Sequence, residues 1–201
     1  MLKLGILASG NGSNLQAIID AIEDKKLSAE IRVVISDNPG AYAIERAKKY
    51  SIKTAVITKE KFTNKSGFDA ELVAALTESG VELVVLAGFM RILSPAVIKA
   101  FPMRIMNIHP SLLPSFPGLD VQKKALAYGA KFSGCTVHFV DGGVDTGPII
   151  IQAAVPIKED DTVETLSKKI LSEEHRIYPE AIRLFSEGRL VIQGRRVLIK
   201  D

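Results

Sequence analysis

Leu4-Gly5-Ile6-Leu7-Ala8, then Ser9-Gly10-Asn11-Gly12-Ser13-Asn14, then Leu15, Ile18, Ile19 and Ile22: this opening run decides the fold. The first five residues are apolar and too few for a buried helix, so they read as a strand. The next six are a polar turn punctuated by glycine. The last four recur at helical spacing and line one face of a helix. A strand, a tight turn and a helix form the start of a βαβ unit.

Working outward, the same alternation continues. Ile31-Arg32-Val33-Val34-Ile35 is a β-branched run that stops at the breaker Asp37-Asn38-Pro39-Gly40. Residues 41–50 read as a helix with Ile44 and Ala47 on its apolar face, and residues 54–57 as a third strand. Residues 68–79 form a helix that Gly80 terminates, and residues 81–87 and 105–108 are further strands. Strands that are apolar almost throughout, separated by helices, predict a parallel sheet covered on both faces. Ligands of such sheets sit at the carboxyl ends of the strands. Three polar segments fall there: residues 9–14, 88–93 and 107–118.

The second half changes character. Residues 112–118 carry two prolines, Pro114 and Pro117, and predict an extended loop, followed by a helix over 121–128. Residues 133–140 alternate and read as a strand, and a glycine-rich loop leads to another strand over 148–156. Residues 162–185 are a long helical pattern interrupted near Tyr178-Pro179, and 190–192 with 197–199 suggest a terminal hairpin. Neither a linker nor a repeat is evident. The expected organisation is one continuous domain over residues 1–201, with halves at 1–108 and 109–201.

Composition bounds the function. The chain has 201 residues, 47% hydrophobic and 24% charged, which excludes disorder, collagen and coiled coil. Its single cysteine, Cys135, excludes an intrachain disulfide and a cysteine-rich zinc site. The three histidines, His109, His138 and His175, show no metal-ligand spacing. The net charge is +3, and the basic residues are scattered, with no cluster longer than an adjacent pair, unlike a nucleic-acid-binding arm. No stretch approaches the roughly 18 apolar residues of a membrane span, and no secretory signal is evident. A reduced cytoplasmic protein is expected.

Several residues carry candidate chemistry. The amides of Ser13 and Asn14 open a helix whose dipole favours an anion, with glycines allowing close approach. The alternative is a plain turn with Ser13 or Asn14 as helix cap. Asn107 and His109 are two apart on a strand and so share a face. An amide and an imidazole there can bind and protonate an oxyanion; the alternative is a histidine satisfied within the core. Asp141 and Asp145 lie in a loop with three glycines, either as turn residues or as a carboxylate partner for His109. His138, between Val137 and Phe139, reads as structural, His175 as a surface residue or a modest structural contact, and Cys135 as core. Met90, Ile92 and Leu93 are either core or the lining of a pocket for a flat ring.

Taken together, these segments resemble the phosphoribosylglycinamide formyltransferases, folate-dependent enzymes of purine biosynthesis. The resemblance rests on the opening run, on Leu86-Ala87-Gly88-Phe89-Met90-Arg91-Ile92-Leu93-Ser94, and on Asn107-Ile108-His109-Pro110-Ser111-Leu112-Leu113-Pro114. It continues through Val137-His138-Phe139-Val140, Asp145-Thr146-Gly147-Pro148-Ile149 and Glu174-His175-Arg176-Ile177-Tyr178-Pro179. It implies an α/β three-layer sandwich with a mostly parallel sheet, a Rossmann-like N-terminal half and antiparallel additions in the C-terminal half. It further implies that Asn107, His109 and Asp145 are the catalytic trio and that Gly12, Ser13 and Asn14 hold a ribose phosphate. Glu174 and Pro110 would border the amine end of that substrate. Met90, Arg91, Ile92, Leu93, Asn107, Val140 and Asp141 would frame the folate, and Lys65 stands where many members carry an arginine near the folate's acidic tail. The peptide before Pro114 is often cis in the family.

The resemblance implies direct formyl transfer from 10-formyltetrahydrofolate, without a metal, between two small molecules. Neither nucleic acid nor membrane is an expected partner, and a monomer or a homodimer is expected. Methionyl-tRNA formyltransferases and formyltetrahydrofolate hydrolases share the trio. They normally carry an additional domain, for which 201 residues leave no room. A binding module without catalysis is the remaining alternative.

Overall fold

β1 (Leu2–Leu7) is buried from Leu4 onward, as an apolar run flanked on both sides requires. The computed structural model describes residues 1–200, and the chain divides into two units, Met1–Met106 and the part from Asn107 onward. In the first unit, α1 (Ser13–Glu23) leads to β2 (Ala29–Ser36), then α2 (Tyr42–Lys49) and β3 (Thr54–Val56). After α3 (Lys65–Glu78) the chain re-enters the sheet as β4 (Leu83–Leu86). The order is β3-β2-β1-β4, every pair is parallel, and Leu7 lies between Ile35 and Leu86. The chain therefore leaves β1 to one side and returns to the other. That is the switch point at which open α/β sheets bind ligands.

The loop after β1 meets that requirement through its glycine. Gly12 precedes α1 with φ +75°, and no side chain caps the helix. The sequence alternative of Ser13 or Asn14 as cap is thereby corrected. A Cβ at Gly12 would lie 2.7 Å from Ala43 Cβ and 2.8 Å from Ala43 Cα, because α2 starts against this loop. The Ala43 amide donates to the Gly10 carbonyl at 3.1 Å. Only a residue without a side chain combines the left-handed backbone with that approach. Gly12→Ala should therefore lose about 2 kcal/mol of stability, from left-handed strain plus overpacking. Urea denaturation measures this, and an unchanged midpoint would show that the loop relaxes freely.

Two further details depart from the sequence reading. α3 begins three residues earlier than expected, because the Asn64 carboxamide accepts the Gly67 amide at 3.0 Å and caps it. α4 (Pro95–Ala100), absent from the sequence reading, starts behind Ser94 with proline in its first turn, a recognisable start signal. β5 (Ile105–His109) begins beside β4, where the Val84 amide donates to the Arg104 carbonyl at 2.9 Å.

The second unit contains the last three residues of β5, α5 (Val121–Tyr128), β6 (Phe132–Phe139), β7 (Ile149–Pro156), α6 (Val163–Ser186), β8 (Leu190–Gln193) and β9 (Arg196–Ile199). β6 and β7 are antiparallel, β7 and β9 parallel, and β8 and β9 form the expected hairpin. The α/β class, with a mostly parallel sheet and antiparallel additions in the C-terminal half, is as the sequence predicts. The long helix is a correction: α6 runs through Pro179 without interruption. Proline there removes one hydrogen bond to the carbonyl four residues back. Burial of Ile177, Tyr178, Ala181 and Ile182 against β6 and β7 outweighs that loss. Among the described residues, no helix is long and apolar enough to cross a membrane.

Candidate active site

β5 delivers Asn107 and His109 to the same side, and the loop after β6 brings Asp145 to both. His109 Nδ1 lies 3.4 Å from Asp145 Oδ2, and Asn107 Nδ2 lies 3.5 Å from Asp145 Oδ1. The Gly118 amide donates to Asp145 Oδ2 at 2.9 Å and fixes the carboxylate's orientation. His109 is only 5% exposed, and its Nε2 meets the Phe116 carbonyl at 3.0 Å. Both ring nitrogens of His109 thus face oxygen acceptors. Only the imidazolium supplies a proton to each. Phe116 and Asp145 both have left-handed backbone, at φ 51° and 54°. For non-glycine residues this stores about 1–3 kcal/mol each.

His138 joins this group, a role its Val137/Phe139 context did not suggest. It is 2% exposed, and its Nδ1 lies 2.8 Å from the Phe139 carbonyl, which can only accept. Nδ1 therefore carries the proton, and Nε2 accepts from Asn107 Nδ2 at 3.1 Å. Burial pushes the His138 pKa below its ordinary value, although the Phe139 carbonyl and Asp145 pull it upward. The 3.8 Å approach of Asp145 to Nε2 is accordingly a contact with a neutral ring, not an ion pair. One proton of the Asn107 amide is committed to His138. The other, facing Asp145 at 3.5 Å, is held loosely and is available to an incoming oxyanion.

His138→Ala should lower kcat about tenfold, the value of one hydrogen bond, because the Asn107 amide loses its fixed orientation. His138→Gln, whose oxygen also accepts, should restore most of it. The same burial predicts an acid dependence. The unfolded chain protonates His138 near its ordinary value, while the folded chain binds that proton only at lower pH. Its contribution to stability is complete above about pH 6.5 and falls below it. His138→Gln should flatten the stability profile just below about pH 6.5, and an unchanged slope would show that another group titrates there.

The first unit carries the other expected ligand residues. The Gln16 amide donates to the Gly12 carbonyl at 3.0 Å, so α1 begins at the glycine loop and points its dipole along it. The Ser9 amide donates to the Gly88 carbonyl at 3.0 Å, and the Met90 amide donates to Ser9 Oγ at 2.9 Å. Ser9 Oγ in turn donates to Asp37 Oδ1 at 2.6 Å. These bonds place the segment with Met90, Arg91, Ile92 and Leu93 beside the glycine loop at the switch point. Met90 and Ile92 are exposed and Leu93 is buried. Arg91 lies 3.7 Å from Asp37 and stacks on Phe68 at 4.6 Å. Lys65 is the exposed first residue of α3, and it borders an open cleft of about 810 Å³ between α3 and α4 with Ser66, Asp69 and Pro95.

The remaining candidates lie in the second unit. Val140 and Asp141 follow β6. Burial alone would raise the Asp141 carboxyl, but the Thr146 hydroxyl at 2.5 Å, the Gly143 amide at 3.0 Å and the charge of Arg195 outweigh it and hold it below its ordinary value. Pro110 directly follows β5, and the Leu113–Pro114 peptide is cis. Glu174 is buried on α6 and acts electrostatically on Cys135. Burial pushes the Cys135 thiol up to about 12, with Glu174 and Glu173 adding to it, so it is no nucleophile at neutral pH. Among the described residues, no cluster of three or more acidic, histidine or cysteine side chains is placed to hold a metal ion.

An amide donor, an imidazole and a carboxylate within hydrogen-bond reach are the parts of an acyl-transfer site. A family model described as "Formyl transferase" matches residues 2–182, and the chain belongs to that family. Within it, the chain is 42% identical to phosphoribosylglycinamide formyltransferase of Escherichia coli strain K12, covering 94% of this chain and 89% of the relative. It is 47% identical to the trifunctional purine biosynthetic protein adenosine-3 of Drosophila melanogaster over 94% of this chain, but it spans only 14% of that relative's length. The crystal structure of glycinamide ribonucleotide transformylase 1 from Symbiobacterium toebii superposes with a TM-score of 0.98 at 55% identity, covering 100% of this chain and 95% of that one.

Proposed function

We propose that this chain transfers the formyl group of 10-formyltetrahydrofolate to the amine of 5'-phosphoribosylglycinamide, in purine biosynthesis. The observation that carries this reading is the convergence of Asn107, His109 and Asp145, with Nδ1 of His109 3.4 Å from the carboxylate. In the transfer, the amine nitrogen bonds to the formyl carbon, the bond from that carbon to N10 breaks, and one proton passes from the amine to N10. Asn107, through its loosely held amide proton, and His109, through Nε2, stabilise the oxyanion that develops on the formyl oxygen. That oxygen takes the place of the Phe116 carbonyl at Nε2. Asp145 supplies the charge opposite the imidazolium and orients the proton relay.

The amides of Gly12, Ser13 and Asn14 hold the substrate phosphate against the start of α1. Met90, Arg91, Ile92, Leu93, Val140 and Asp141 frame the folate, with Lys65 toward its acidic tail, and Glu174 and Pro110 border the glycinamide end. The Cys135 thiol is buried and takes no part. The test is a steady-state assay with both substrates, followed by the absorbance of the deformylated folate. Turnover dependent on phosphoribosylglycinamide supports the reading. Release of formate without the acceptor would make the chain a hydrolase, and binding without turnover would make it a folate- or nucleotide-binding module.

A further inference from the structure

Arg46 lies on α2, outside every residue assigned a role above, yet its guanidinium donates twice to the glycine loop. Its Nε donates to the Asn11 backbone carbonyl at 2.9 Å, its Nη2 to Asn11 Oδ1 at 3.0 Å, and its Nη1 to Gln16 Oε1 at 3.2 Å. The guanidinium is stacked on the Tyr42 ring at 4.9 Å. Gln16 is itself held, its Nε2 donating to Asp20 Oδ1 at 2.8 Å and to Tyr50 Oη at 2.9 Å. One planar fork thus ties the loop residue before Gly12 to the first turn of α1.

The geometry points to Arg46 as a positioning residue for the phosphate of the substrate; this rests on the proposed formyl transfer and on the phosphate role of residues 12–14. The reason is the geometry of one peptide. The Asn11–Gly12 bond is trans, since Leu113–Pro114 is the one cis bond among the described residues. In a trans peptide the carbonyl and the following N–H point in opposite directions. By binding the Asn11 carbonyl on the α2 side, Arg46 turns the Gly12 N–H to the opposite side, away from α2. Without the guanidinium, a peptide flanked by glycines rotates easily, and its flip would present a carbonyl, not an amide, to the anion. The positive charge beside the loop also favours the phosphate over a distance comparable to the Debye length. Lysine keeps the charge but provides a single point donor, and it cannot occupy the Asn11 backbone, the Asn11 side chain and Gln16 together.

The experiment compares wild type, Arg46→Lys and Arg46→Ala in the two-substrate assay, with thermal unfolding of each protein. The expected result is a KM for phosphoribosylglycinamide raised about tenfold in both variants, with kcat within about twofold and the KM for 10-formyltetrahydrofolate unchanged. Arg46→Lys retains the aliphatic stem and keeps the test valid if Arg46→Ala does not fold. Recovery of the wild-type KM in Arg46→Lys would overturn the positioning role in favour of charge alone. An unchanged KM in both variants, or equal losses for both substrates, would also overturn it. Failure of the underlying function looks different: the wild-type protein itself would not transfer formyl to phosphoribosylglycinamide.

Discussion

His109→Ala lowers kcat by about 10²–10³, equivalent to about 3–4 kcal/mol of barrier, while the fold survives. The fold survives because the imidazole contributes polar contacts to the Phe116 carbonyl and Asp145, not an apolar core layer. The apolar residues of β5, Ile105, Met106 and Ile108, are buried independently of it. The rate falls because Nε2 is the nitrogen directed away from Asp145, toward the position an oxyanion would take. Its loss removes the charged donor, and the Asn107 amide remains. The loss should appear in kcat, with both KM values within a few-fold, because the missing interaction forms only as charge develops on the formyl oxygen. Added imidazole should recover part of the rate if it enters the vacated space. A purified variant that is folded by circular dichroism and turns over within fivefold of wild type would remove His109 from the mechanism.

The sequence makes one part of this site legible and hides the other, for a physical reason. Asn107 and His109 are visible as a pair because strand geometry has a period of two, so their common side follows from spacing alone. Asp145 lies 38 residues from Asn107, and its approach depends on how β6 and its loop return, which no local pattern encodes. The resemblance to known formyltransferases, not spacing, singled it out. His138 shows the converse limit. Between Val137 and Phe139 it looks like any buried strand residue, and it is buried; what the pattern does not reveal is that its bare Nε2 lies against Asn107. Arg46 was invisible for the same reason as Asp145, being 35 residues from the carbonyl it holds.

The elements themselves follow a similar division. The parallel strands of the first unit are legible because burial on both faces makes them apolar without interruption. The start of α3 is hidden in the sequence because its first turn carries only Lys65, Ser66 and Gly67, and helix formation there depends on the Asn64 cap. Pro179 misled in the opposite direction. Local propensity signals an interruption, and tertiary burial of the surrounding residues overrides it.

Asp145→Asn is the more informative substitution, because it preserves shape while removing charge. The carboxylate makes four approaches: Oδ2 to the Gly118 amide and to His109 Nδ1, and Oδ1 to Asn107 Nδ2 and the His138 ring. An asparagine cannot match them all. If its oxygen keeps the Gly118 amide, its NH₂ occupies the Oδ1 position, opposes the donor of Asn107 and competes with it for His138 Nε2. If the amide is flipped, two donors confront each other at Gly118. In either orientation His109 loses the charge opposite its imidazolium, and in the first the Asn107 amide is also released from its alignment. The expected result is a loss of about 10³–10⁴ in kcat, comparable to removing the buried aspartate of a hydrolytic triad. Thermal stability should change far less than activity, since the volume is retained and the first orientation keeps the Gly118 bond. A folded variant with kcat within tenfold of wild type would mean that Asp145 shapes its loop without acting on His109.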